Sequence, residues 1–92
     1  MDTARQSVEI TNQRGLHARA SAKFVAAVAK LPEGTTVTVA KDGMEAAGGS
    51  ILGLMMLGAA KGSTIEIIVT GDDAETKLTK LIGLVMDGFG ED

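Results

Sequence analysis

The sequence predicts an α+β fold of the order βαββαβα, an open-faced β-sandwich in which a four-stranded antiparallel sheet carries three helices on one face. Three observations predict it. Short stretches of period-two hydrophobicity alternate with stretches of period 3.6. Each strand-like stretch is apolar on one face only, so helices can cover that side of the sheet while the other stays solvated. The chain has 92 residues, with no linker-like segment or internal repeat, which suits a single domain over 1–92 and leaves no room for a second.

Ser7-Val8-Glu9-Ile10-Thr11 alternates polar and apolar and reads as the first strand. Asn12-Gln13-Arg14-Gly15 is a turn. From Ala18 to Leu31 the chain is Ala-rich, with Ser21, Phe24, Val25, Val28 and Leu31 on one helical face, and Pro32-Glu33-Gly34 ends the helix. Thr35 to Ala40 is β-branched and alternating, hence a second strand. Asp42-Gly43 is a hairpin turn that returns Met44–Ala47 antiparallel. After Gly48-Gly49, Ser50 is a natural N-cap for a short helix over Ile51–Leu57. Thr64–Thr70 is the fourth strand. Asp72-Asp73-Ala74-Glu75 then offers a cap and acids to the positive end of a last helix, with Leu78, Leu81, Ile82, Val85, Met86 and Phe89 as its apolar stripe.

Composition removes several function classes. There is no Cys, which excludes disulfide scaffolds, zinc ribbons and thiol catalysis and suits a reducing compartment. One His cannot supply a multi-histidine metal site, and two Phe without Trp or Tyr cannot build a base-stacking platform. The beginning of the chain has an early acid and no apolar h-region, unlike a signal peptide. The longest uncharged run, Ala46 to Ala60, has fifteen residues and four glycines, short of the roughly 20 apolar residues that span a membrane. Net charge is −3 but unevenly divided: +3 over residues 1–32 and −6 over 33–92. No acid lies between Glu9 and Glu33, an island that could attract a phosphate or an acidic partner. Five bases in an acidic chain are too few for a duplex-binding face.

The single His lies in that island, in Arg14-Gly15-Leu16-His17-Ala18-Arg19-Ala20, between a turn and a helix N-terminus. The positive helix end favours a neutral, nucleophilic ring. Free N–H groups of the first turn can hold an anion beside it, and Arg19 can place a guanidinium on the same anion. A phosphoryl group on a ring nitrogen meets all three conditions; a structural histidine on a helix-entry loop is the plainer alternative. In Ser50–Leu57, Leu54, Leu57 and Gly53 fall on one side of the helix and Ile51, Leu52 and Met55 on the other, with Met56 at the edge. A short helix on one sheet cannot bury both sides, so an exposed apolar patch is expected, unless the helix is deeply embedded. No nucleophile elbow or phosphate-loop pattern is present.

With these two motifs in this order, the chain resembles the HPr family, the histidine-containing phosphocarriers of the bacterial phosphotransferase system, from Ser7 to Met86. Gly15-Leu16-His17-Ala18-Arg19 is similar to the family's active-site signature, and Ser50–Leu57 with Ala60-Lys61-Gly62 to its regulatory-serine region. The resemblance implies that His17 accepts a phosphoryl group on Nδ1 from Enzyme I, itself phosphorylated from phosphoenolpyruvate, and passes it to an EIIA-type domain. Arg19 would neutralise the moving charge. Ser50 would be the site of an HPr kinase/phosphorylase, and also serves as a plain cap. Ile51, Leu52 and Met55 would form the docking patch. The implied protein is a cytoplasmic monomer without metal or cofactor, a carrier and not an independently turning-over enzyme. Ala20 departs from the family, which usually has Pro there; Gly49 stands where many relatives have Lys. The tail Asp87–Asp92 and Met55-Met56-Leu57 look more like the nitrogen-related branch than the sugar-uptake branch. The alternative from another class is a small regulatory binding module that acts through the patch without phosphohistidine chemistry.

Overall fold

Strands β1 (Asp2–Glu9), β2 (Thr36–Lys41), β3 (Met44–Ala47) and β4 (Thr64–Gly71) pair antiparallel in the order β1-β4-β2-β3. Helices α1 (Ala18–Ala29), α2 (Ile51–Met56) and α3 (Ala74–Met86) complete the βαββαβα order. This is the arrangement in a computed structural model that describes residues 2–91.

β4 holds a central position because it is apolar enough to be flanked on both sides. Its Ile65, Ile67 and Val69 are buried on the helix-covered face. Val8 of β1 lies opposite Ile65 and Ala4 opposite Val69; from the other side, Val39 faces Ile67 and Val37 faces Val69. Each such side chain contributes about 1.5–3 kcal/mol when fully buried. The opposite face is polar: Thr3 and Thr70 share a hydroxyl hydrogen bond of 3.2 Å, and Arg5 lies 3.7 Å from Glu66. Between β2 and β3, Asp42 (φ 50°) and Gly43 (φ 82°) form the left-handed two-residue turn that their sequence predicts. α3 packs over β1 and β4, while α2 packs against α1 and β3. Phe24, Leu54, Leu81, Val85 and Phe89 meet the strand residues in one core.

The expected elements are all present, with three corrections. β1 begins at Asp2 and ends at Glu9, so the stretch Ser7–Thr11 caught only its end. Ile10 lies beyond the strand, yet its N–H donates to Ser63 O (2.8 Å) and its carbonyl accepts from Gly62 N–H (2.8 Å). Asp73 precedes α3 in a left-handed conformation and makes no side-chain cap; its carboxylate instead accepts from the Thr76 hydroxyl (2.9 Å). The stripe of α3 stops at Val85. Met86 is 66% exposed, and Phe89, though fully buried, has left the helix in a short 3-10 turn, Gly88–Gly90.

Candidate functional site

The loop that carries His17 is set by close backbone packing. Gly15 has φ +62°, and a Cβ there would lie 2.3 Å from Ala59 O, so only glycine fits. The next residue, Leu16, is buried and donates its N–H to the same Ala59 carbonyl at 2.9 Å. The Ser21 hydroxyl donates to Leu16 O (3.2 Å), and Ser21 N–H to His17 O (2.9 Å). His17 thereby becomes the N-cap of α1, extended at φ −75°, ψ −177°, and its Nδ1 accepts the Arg19 N–H at 3.3 Å. One of the first-turn donors expected to be free is thus already directed at the ring.

The other ring nitrogen meets a residue 74 positions away. After the buried Phe89, held with φ 58° and with its carbonyl accepting from Lys23 Nζ (2.8 Å), the chain turns back over α1. The Glu91 carboxylate then lies 2.8 Å (Oε2) and 3.1 Å (Oε1) from His17 Nε2. Asn12, buried in the turn before His17, donates its amide to Glu91 Oε1 (3.0 Å) and to Gly15 O (2.9 Å), tying tail to loop. Partial burial pushes the Glu91 carboxyl up. Hydrogen bonds from Asn12 and His17, with the nearby Arg19 guanidinium, outweigh this and hold it below the usual carboxylate range. An ionised carboxylate only accepts, so in the neutral ring Nε2 carries the proton and Nδ1 the lone pair that meets the Arg19 N–H.

Around the ring is an open depression of about 550 Å³, to which Arg14, Arg19 and Lys23 contribute cations beside His17 and Glu91. It suits a small anion. The acid-free island is therefore acid-free in sequence only: folding brings Glu91 into it. Asn12, Lys23 and Glu91 are not recognisable as site residues in the sequence. The one local clue is an aromatic between two glycines, Gly88-Phe89-Gly90, unusual for a helix interior.

At the start of α2, Ser50 Oγ accepts the Gly53 N–H at 3.0 Å, the cap that its position predicts. Leu54 and Leu57 are buried, whereas Ile51 (41%), Leu52 (69%), Met55 (41%) and Met56 (66%) are exposed. Met56 is thus fully part of the patch. Ala59, just after α2, is the residue that holds Leu16, so the two regions share one anchor.

The described architecture is that of known phosphocarriers. The PTS-HPr family, described as "PTS HPr component phosphorylation site", matches residues 4–87. The chain belongs to the HPr family. It is 44% identical to "Phosphocarrier protein HPr" of Neisseria meningitidis over 95% of this chain and 96% of the relative. It is 40% identical to "Phosphocarrier protein NPr" of Escherichia coli over 98% and 99% of the two chains. Among solved structures, HPr from Thermoanaerobacter tengcongensis superposes with a TM-score of 0.88 at 35% identity, covering 97% of this chain and 98% of the other. The open-faced sandwich is the one these HPr structures share.

Proposed function

We propose that the chain is a phosphocarrier that accepts a phosphoryl group from phosphorylated Enzyme I on His17 Nδ1 and passes it to an EIIA-type domain. The supporting observation is that Nδ1 faces the Arg19 N–H at a helix N-terminus beside a cationic depression, while Nε2 faces the Glu91 carboxylate. The Nδ1 lone pair attacks phosphorus while the bond to the donor atom breaks, its electron pair leaving with the donor. The phosphoryl oxygens then take the charge of Arg19 and the N–H groups of the first turn. Phosphoryl transfer is mostly positioning and electrostatics, and this loop supplies both. The reverse exchange delivers the group to the acceptor. Carrier action needs no turnover by this chain alone.

Ala20 replaces the family's usual Pro in the first turn of α1 and is fully buried. It costs the loop some pre-organisation and removes no reacting group. Donor and acceptor dock on the apolar patch of Ile51, Leu52 and Met55, with Met56 beside it. Ser50, half-buried as the cap of α2, is the proposed target of a kinase of the HPr kinase/phosphorylase type; a phosphate there sits at a helix N-terminus and adds charge next to the patch. We place the protein in the cytoplasm as a monomer, with sugar uptake or nitrogen and carbon regulation as the output.

The test is incubation with phosphoenolpyruvate, Enzyme I and candidate EIIA acceptors of the sugar and nitrogen types. The parent should acquire one acid-labile, alkali-stable phosphate and His17→Ala none; equal labelling of the variant would sink the proposal. The exposed patch also suits a binding module without phosphohistidine. That reading requires His17→Ala to leave partner binding and cellular output unchanged.

A further inference from the structure

We propose that Glu91 is a positioning residue for His17: its carboxylate, brought back by the Phe89 turn, holds the ring proton on Nε2 and so keeps Nδ1 as the nucleophile. The inference rests on the phosphocarrier reading and adds to it the residue that selects the reacting nitrogen. Both Glu91 oxygens are within hydrogen-bond distance of Nε2, at 2.8 and 3.1 Å, and the Glu91 side chain is only 14% exposed. Three contacts hold it there. Asn12 donates to Oε1, Lys23 pins the Phe89 carbonyl, and Phe89 itself is fully buried. A carboxylate in this position fixes the tautomer and orientation of an imidazole and stabilises the charge it develops.

The transfer step makes the contribution specific. When the Nδ1 lone pair forms the bond to phosphorus, the ring keeps its Nε2 proton and becomes cationic. The bond from phosphorus to the donor atom breaks with its electron pair, so the donor regains the lone pair. Glu91 faces the new positive charge without taking the proton. In the onward step the same protonated ring is the better leaving group, and Nδ1 recovers its lone pair as the phosphoryl group departs. The bond that Nδ1 must give up beforehand, from Arg19 N–H, is long at 3.3 Å and is replaced by the phosphoryl oxygens.

The test uses the full chain, labelled with ¹⁵N, in two readouts. Long-range ¹H–¹⁵N spectra of the unphosphorylated protein at neutral pH report which ring nitrogen carries the proton. Rates of phosphoryl acceptance from Enzyme I report the chemistry. In the parent the neutral ring should carry its proton on Nε2. In Glu91→Ala that preference should weaken, with only the long Arg19 N–H contact left to favour it, and kcat/KM for acceptance should fall by about tenfold, mainly in kcat. Glu91→Gln, whose side-chain carbonyl still accepts from Nε2–H, should restore the tautomer and recover part of the rate. A parent-like rate in folded Glu91→Ala overturns the proposal, even if its melting temperature has dropped. An Nδ1-protonated ring in the parent overturns it as well. Should the parent accept no phosphoryl group while its ring spectra depend on Glu91 as described, the phosphocarrier reading fails and the positioning of the ring stands.

Discussion

At the start of α1 the cap is an imidazole, and at the start of α2 it is a hydroxyl. Both accept a backbone N–H of their own first turn, His17 from Arg19 and Ser50 from Gly53. The surroundings differ. Ser50 is held by a bond three residues long and opens onto an apolar patch. His17 is held from two distant places: Gly15 and Leu16 sit on Ala59, and Glu91 closes on Nε2 from the far end of the sequence. A cap that only starts a helix can be local. A nucleophile, the role proposed for His17, must be fixed in orientation and proton location as well, and that takes contacts from several elements.

The sharpest way to break this contrast is at Gly15. Gly15→Ala forces a Cβ to within 2.3 Å of Ala59 O at φ +62°, so the loop has to move. The expected loss is about 3 kcal/mol of stability by denaturant unfolding, with most of the phosphoryl acceptance lost in the folded remainder. A variant as stable as the parent would show that the anchor on Ala59 is dispensable.

At the other entrance the effect should be smaller and stay local. Ser50→Ala removes one cap bond and should cost about 1 kcal/mol, leaving the His17 tautomer as in the parent. Ser50→Asp keeps a capping oxygen while adding charge beside the patch, so it should weaken Enzyme I docking, read as a raised KM, without unfolding. Equal transfer rates at subsaturating protein would count against the patch as the docking surface.

The smallest effect concerns acid. Glu91 is held below the usual carboxylate range in the folded chain, so its ionised form contributes stability that is fully present above that range. The contribution is lost as pH falls through the lowered folded value. The difference in denaturation midpoint between the parent and Glu91→Gln should therefore shrink on acidification, whereas that between the parent and Ser50→Ala should not, because a hydroxyl does not titrate there. A Glu91→Gln difference that grows as pH falls through and below the carboxylate range would contradict the pairing.

The two entrances also differ in how far the sequence reveals them. Ser50 is legible because capping is decided within three residues: a Ser after two glycines and before an apolar run. The outward side of α2 follows from helical phase, and only the extent of Met56 exposure exceeds that reading. His17 and Arg19 are legible as a candidate site by their place at a helix start. Glu91 is not, since an acid 74 residues away has no periodicity or spacing to connect it with an imidazole. Phe89 misleads in a related way. It continues the 3.6-residue stripe of α3, but the two glycines around it let the chain turn left-handed and bury the ring from outside the helix.

The order of elements, the covered face of the sheet, the Ser50 cap and the family are written along the chain, because they depend on patterns and contacts between near neighbours. Folding adds that β4 lies between β1 and β2, that Gly15 rests on Ala59, and that Glu91, held by Asn12, closes on the ring of His17. Those contacts join residues far apart in sequence, and their energy is gained only when the core brings the segments together. The one histidine is visible in the chain; which of its nitrogens faces a carboxylate and which a backbone N–H is determined by the fold.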